Sequence, residues 1–206
     1  MLLHHTKYVF RLYTSYWHDK FGTINGPEAF QKSKEFIDSY NSKVGAKVAS
    51  IKQLENGSVV VCVVDEFMKR VHAVTPQSGQ IMFVDATGSL DRLNHQLLKL
   101  MTESPVGGLP LGFIILSEQT SKSLDVGFEE IKKLLPEEAF YGRGVEEGPA
   151  IIMTDDDSVS DLQIHFLLCN CHFLNLQIQF SQMLKECFFY NPPIWSNYLT
   201  QYFCTF

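Results

Sequence analysis

The segment QIMFVDATG, residues 80–88, is the clearest indication of a sheet, because a short apolar run ends there in an acid and a turn. The pattern predicts a buried strand from Gln80 to Asp85 and a turn over residues 86–89. The run from Ala150 to Thr154 repeats it and leads directly into three aspartates, residues 155–157. We therefore predict two buried strands, each ending in an acid.

Other apolar runs on both sides of this stretch predict a mixed sheet. Further strands are expected at residues 58–64, 94–102, 111–116 and 165–169. Helices are expected at residues 28–40, 65–74 and 123–135, the last capped by Ser123, with another after residue 169 that continues to Lys185. Turns or loops are expected at residues 77–79, 105–110 and 142–149. Three neighbouring strands, a helix and two parallel strands are typical of an α/β fold.

The bulk composition sets limits on partners and compartment. The 206 residues are the size of one domain, and the net charge of −6 gives no basic excess for tight DNA binding by this chain alone. Five scattered cysteines argue against a disulfide framework and favour a reducing compartment. Without a signal-like start or a run of about 18 apolar residues, we expect an intracellular protein of the nucleus or cytoplasm, with no membrane span.

Asp85 and Asp155 are the candidate metal ligands. If their strands are neighbours, the two carboxylates converge at one edge of the sheet. Carboxylate oxygens suit Mg²⁺ or Mn²⁺, and two such ions about 3.5–4 Å apart can clamp a phosphoryl transfer. The alternative is structural: Asp85 would form an Asx-turn, and residues 155–157 would cap the next helix and face solvent. The pattern alone leaves both interpretations open.

Two other clusters carry weaker signals. Lys69, Arg70 and His72 follow a predicted strand and could touch phosphate, although a solvated helix face is the favoured interpretation. Cys169, Cys171 and His172 could ligate zinc, but a structural zinc site takes four ligands. His165 could be the fourth, although its apolar neighbours favour a packing role. Zinc is therefore not expected.

Four segments in one order resemble the Mutator-like (MULE) DDE transposases. Residues 84–88, followed by Leu90-Asp91-Arg92, resemble the strand of the first acid, and residues 107–112 resemble the entry to the next strand. Residues 151–158 resemble the strand of the second acid. Residues 167–172 resemble the family's Cys-x-x-His motif, taken as Cys169 and His172. The resemblance covers about residues 58–180.

The resemblance implies an RNase H-like fold in which two Asp and one Glu hold two Mg²⁺ ions. The implied reaction is hydrolysis of a DNA phosphodiester followed by strand transfer. By position Asp85 is the first acid and Asp155 the second, with Asp156 as the alternative, while Cys169 and His172 are possible accessory residues. The third acid belongs well beyond the Cys-x-x-His motif, where residues 173–206 hold a single acid, Glu186, in an unmatched setting.

We therefore expect an RNase H-like mixed sheet, with an antiparallel hairpin, parallel strands and flanking helices, that is incomplete at its C-terminus. The expected parts are a helical or irregular flanking region (1–57), a partial transposase domain (58–187) and a divergent aromatic tail (188–206). The expected function is a transposase-derived domain with an incomplete two-ion site, inactive as this fragment. The alternative is a non-catalytic module that binds nucleic acid or a partner protein, or that self-associates.

Overall fold

The computed structural model describes residues 27–87 and 94–154, and the backbone of residues 172–175. The helices in these ranges are α1 (Pro27–Val44), α2 (Glu66–Val74), α3 (Pro76–Gln80), α4 (Ser121–Lys132) and α5 (Gly144–Glu147). The strands are β1 (Ala49–Gln53), β2 (Val59–Val63), β3 (Ile81–Thr87), β4 (Gln96–Thr102), β5 (Leu109–Leu116), β6 (Ile151–Thr154) and β7 (His172–Asn175). None of these helices is long and apolar enough to cross a membrane.

The strands form one mixed sheet in the order β1-β2-β5-β4-β3-β6-β7. The pairs from β1 through β3 are antiparallel. β6 runs parallel to β3, and β7 runs parallel to β6. The expected α/β class, with an antiparallel hairpin, parallel strands and flanking helices, is confirmed. β1 was not expected, and it extends the sheet beyond β2.

Local signals explain where the elements nearest the centre of the sheet begin and end. Gly57 adopts a φ of 86° in the turn between β1 and β2, a conformation that glycine adopts without steric cost. The Asp65 side chain accepts the Met68 amide at 2.8 Å and so caps α2. Thr120 caps α4 by accepting the Ser123 amide at 3.1 Å.

The two faces of the sheet are covered differently. On one face α2 and α4 pack over the main core, whose fully buried members include Cys62, Met82, Leu98, Leu111, Ile114, Leu116, Phe128, Ile131 and Ile152. On the other face Ile37 of α1 packs against Val61, Leu97 and Ile115. Phe83 and Met101 form a separate apolar cluster on this second face.

Several element boundaries differ from the sequence prediction. Residues 77–79 lie inside the short helix α3 rather than in a turn, because Pro76 starts a helical turn there. The cap of α4 is Thr120 rather than Ser123, and the helix ends at Lys132. The short helix α5 lies within the predicted loop 142–149.

β3 continues to Thr87, so the predicted turn over residues 86–89 was wrong at its start. Ala86 and Thr87 still pair with Leu98 and Leu97 of β4 in the antiparallel hairpin. Residues 172–175 form β7 where a helix was predicted. The predicted strand at residues 165–169 lies outside the described residues.

Candidate metal site on the sheet

The parallel pair β3–β6 brings the two acid-bearing segments together at the level of the backbone. Register partners run from Ile81 with Ile151 to Val84 with Thr154. In the sequence Asp85 follows Val84, and Asp155 follows Thr154. The two strands are therefore neighbours, which is the condition under which the two carboxylates were expected to converge. Asp155 and the alternative ligand Asp156 lie outside the described residues.

Asp85 lies within β3, two residues before the strand ends, and not at its terminus as predicted. Directly opposite, in β4, is Lys99. The Lys99 Nζ lies 2.5 Å from the Asp85 Oδ2, a short charge-assisted contact. The two side chains are 19% and 18% exposed, so solvent screens this ion pair less than it screens pairs on the open surface.

An apolar surface surrounds the pair along both strands. Side chains alternate between faces of a strand, so Asp85 shares its face with Phe83, and Lys99 shares that face with Met101. Phe83 and Met101 are buried, and Met153 of β6 packs against them. The carboxylate therefore emerges from an apolar part of the sheet, where electrostatic interactions are stronger than in bulk water.

The described residues supply only part of a ligand set. Of the acids predicted to bind metal, Asp85 alone has a described side chain, and within residues 27–87 and 94–154 no three His, Cys, Asp or Glu side chains are grouped to hold an ion. The Thr154 hydroxyl is buried and has no hydrogen-bond partner among the described residues. Its partner Val84 belongs to the core under the helices, which places Thr154 on the face opposite Asp85.

His72 is a structural residue and cannot contact phosphate, contrary to the solvent-facing position expected for it. It is 1% exposed. Its Nδ1 accepts the Phe140 amide at 3.3 Å, so the Nε2–H donates to the Leu111 carbonyl at 3.0 Å. Burial lowers the pKa of His72 to about 4, against the opposing effect of the Leu111 carbonyl. The ring is therefore neutral at pH 7 and joins α2 to β5 and to the segment that leads into β6.

The neighbouring basic residues of α2 remain at the surface. Lys69 forms an ion pair with Glu66 at 3.1 Å, one helical turn away, and Arg70 is exposed. This arrangement agrees with the solvated helix face that the sequence favoured for Lys69 and Arg70.

The accessory residues of the expected motif are described only in part. Cys169 lies outside the described residues. The backbone of His172 begins β7 and pairs with Ile151, whereas Thr154 pairs with Asn175. His172 therefore lies at the opposite end of β6 from Thr154, about 10 Å away at 3.3 Å per residue.

Lys99 is the functional candidate that sequence reasoning missed. The predicted strand 94–102 contains it as a lone charge within LLKLM, residues 97–101. A charged residue in an otherwise apolar strand signals a partner on a neighbouring strand. Identifying Asp85 as that partner requires the hairpin register, which the residue pattern did not supply.

Comparisons with protein-family models, with curated proteins and with solved structures found no significant match for the chain.

Proposed function

We propose that the chain is a transposase-derived, RNase H-like domain of the Mutator-like (MULE) kind. In this proposal Asp85 and Asp155 bind Mg²⁺ or Mn²⁺, and the ancestral reaction is cleavage of a DNA phosphodiester with strand transfer. The observation that carries the proposal is the register of Val84 with Thr154 in parallel strands, because an acid follows each of them.

The topology supports the RNase H-like part of the proposal. Strands β3, β4 and β5 form an antiparallel unit, helix α4 follows it, and β6 and β7 then run parallel to β3. This is the arrangement of antiparallel and parallel strands that the resemblance implies. The parallel strand that precedes Asp155 also lies beside the strand that carries Asp85, as a shared ion site requires.

Asp85 fits the role of a divalent-metal ligand. Its carboxylate is a hard oxygen donor on a partly enclosed sheet face. Continuation of the β3–β6 register by one residue would bring Asp155 to the same face at the strand spacing of about 4.8 Å. Bound there, the ions would supply the clamp on the attacking and leaving oxygens of a phosphodiester. Asp85 and Asp155 would orient that clamp on the rigid centre of the sheet.

We expect cation binding without DNA cleavage by this chain. Glu186 is the single acid in residues 173–206, and its surroundings do not resemble the third-acid position of the family. A two-ion site with one ligand missing loses both charge and geometric control. Lys99 favours the second candidate function, a non-catalytic binding module, because its ammonium holds the carboxylate that catalysis would use.

The test combines Mn²⁺ binding with DNA cleavage. The purified chain is titrated with Mn²⁺ and incubated with end-labelled branched DNA, beside an Asp85→Ala/Asp155→Ala variant. Asp125→Ala is the matched control, because Asp125 is an exposed acid on α4. We expect Mn²⁺ binding that the double variant loses and the control keeps, with no cleavage by any of the three proteins.

The other outcomes have clear meanings. Cleavage by the native chain that the double variant lacks would establish an active nuclease and refute the expected inactivity. Equal Mn²⁺ binding by the native chain and the double variant would refute the metal site itself.

A further inference from the structure

Lys99 occupies a position that the proposed function does not explain. Of all positions in β4, it is the one directly opposite Asp85. Its other register partner is Phe113 in β5. Lys99 in the central strand β4 is therefore flanked by an acid in β3 and an aromatic residue in β5. An ammonium in this place neutralises the carboxylate without any metal.

We propose that Lys99 is a built-in counter-ion of Asp85 that sets the threshold for divalent-cation binding at the candidate site. The inference rests on the proposed metal role of Asp85. A divalent cation would bind only at a concentration high enough to displace the Lys99 ammonium from the Asp85 carboxylate.

The geometry carries this inference. The contact of 2.5 Å between Lys99 Nζ and Asp85 Oδ2 engages one of the two oxygens that a metal would use. A divalent ion bound at the same carboxylate would lie a few ångströms from the ammonium, where like charges repel. The low exposure of both side chains and the apolar neighbours Phe83 and Met101 reduce the screening of that repulsion.

If the Lys99–Asp85 ion pair served only to stabilise the sheet, the expected results would differ. Cross-strand pairs of opposite charge stabilise a sheet by a modest amount, and removal of either partner would then lower stability alone. Under the counter-ion proposal, removal of the lysine charge also tightens cation binding. The affinity for Mn²⁺ therefore separates the two roles, and thermal stability does not.

The experiment measures free Mn²⁺ by electron paramagnetic resonance during titration of the native chain, Lys99→Met, Lys99→Arg and Lys99→Met/Asp85→Asn. Met keeps the length of the stem and removes the charge, whereas Arg keeps the charge. Lys122→Met is the matched control, because Lys122 also pairs with an acid, Glu55, at 3.3 Å, but on the open surface. Lys99→Gln replaces Lys99→Met if circular dichroism shows that the Met variant does not fold.

We expect Lys99→Met to bind Mn²⁺ at least about tenfold more tightly than the native chain. Lys99→Arg and Lys122→Met should bind like the native chain, and the added Asp85→Asn change should abolish the gain. Equal affinities for Lys99→Met and the native chain, with binding still dependent on Asp85, would overturn the counter-ion role and leave the metal site intact. No Asp85-dependent binding in either protein would overturn the proposed metal site, and the counter-ion role with it.

Discussion

Val84 of β3 and Thr154 of β6 are direct register partners in parallel strands, and the next residue in each segment is an aspartate. In the proposed metal site, these two acids would bind one ion beside the β3–β6 pair. The register of β3 with β6 is rigid, because Met82 and Ile152 are fully buried in the main core. These two residues are also register partners, two positions before Val84 and Thr154.

The buried imidazole of His72 predicts a loss of stability in acid. Its pKa is about 4 in the folded chain and about 6.5 when unfolded, so the unfolded state binds more protons between these values. The contribution of neutral His72 is complete above pH 6.5 and is lost as the pH falls to 4. The shift corresponds to about 3 kcal/mol in the free energy of unfolding.

Urea unfolding at several pH values between 7 and 4 measures this contribution. His72→Gln should give a shallower pH dependence than the native chain, because the substitution removes the imidazole that titrates between these pH values. An unchanged slope in His72→Gln would contradict a neutral buried imidazole.

Close packing between α4 and β5 predicts that Gly127→Ala destabilises the fold. A Cβ at this position would lie 2.7 Å from the Ile114 Cγ2, a branched methyl group that cannot swing away. Overpacking costs about 1–3 kcal/mol, which exceeds the gain of about 1 kcal/mol in helix propensity. Chemical denaturation should show Gly127→Ala as less stable and Asp125→Ala, exposed on the same helix, as unchanged within about 0.5 kcal/mol. A more stable Gly127→Ala protein would contradict this packing.

The N-cap of α4 predicts a cost for Thr120→Ala. The Thr120 Oγ1 accepts the Ser123 amide at 3.1 Å and lies 2.7 Å from the Ser123 hydroxyl. Loss of such a cap costs about 1 kcal/mol in the free energy of unfolding. Thr120→Ser should restore most of the stability, and Ser121→Ala, at the exposed next position, should have little effect. Equal stabilities of Thr120→Ala and the native chain would argue against this capping residue.

Strong local signals explain which parts of the fold the sequence could predict. β2, β5 and β6 are almost wholly apolar and are bounded by glycine, proline or acidic residues, so they were recognisable as buried strands. β1, with the sequence ASIKQ, has two apolar members besides Ser50, Lys52 and Gln53, and it becomes a strand only through its pairing with β2. The strand propensities of individual residues do not predict a strand that forms only through pairing with a neighbour.

The candidate site, like the fold, was predictable only where a local sequence pattern marks it. An acid after an apolar run identified Asp85, whereas the sequence left open whether the strand before Asp155 lies beside β3. The Lys99 contact depended on how far the hairpin extends, because Asp85 meets Lys99 only when β3 and β4 are paired in the observed register. Connections between strands do not encode such a register by composition alone.

The most direct test of the central claim is a crystal structure of the chain grown with Mn²⁺, with the ion located by its anomalous signal. We expect Mn²⁺ bound by carboxylate oxygens of both Asp85 and Asp155, at about the distance of 2.0–2.2 Å usual for small divalent ions and oxygen ligands. The claim would be contradicted by carboxylates more than about 8 Å apart, a separation too large for ions held 3.5–4 Å from each other. It would equally be contradicted by Mn²⁺ bound elsewhere while Asp85 still holds Lys99.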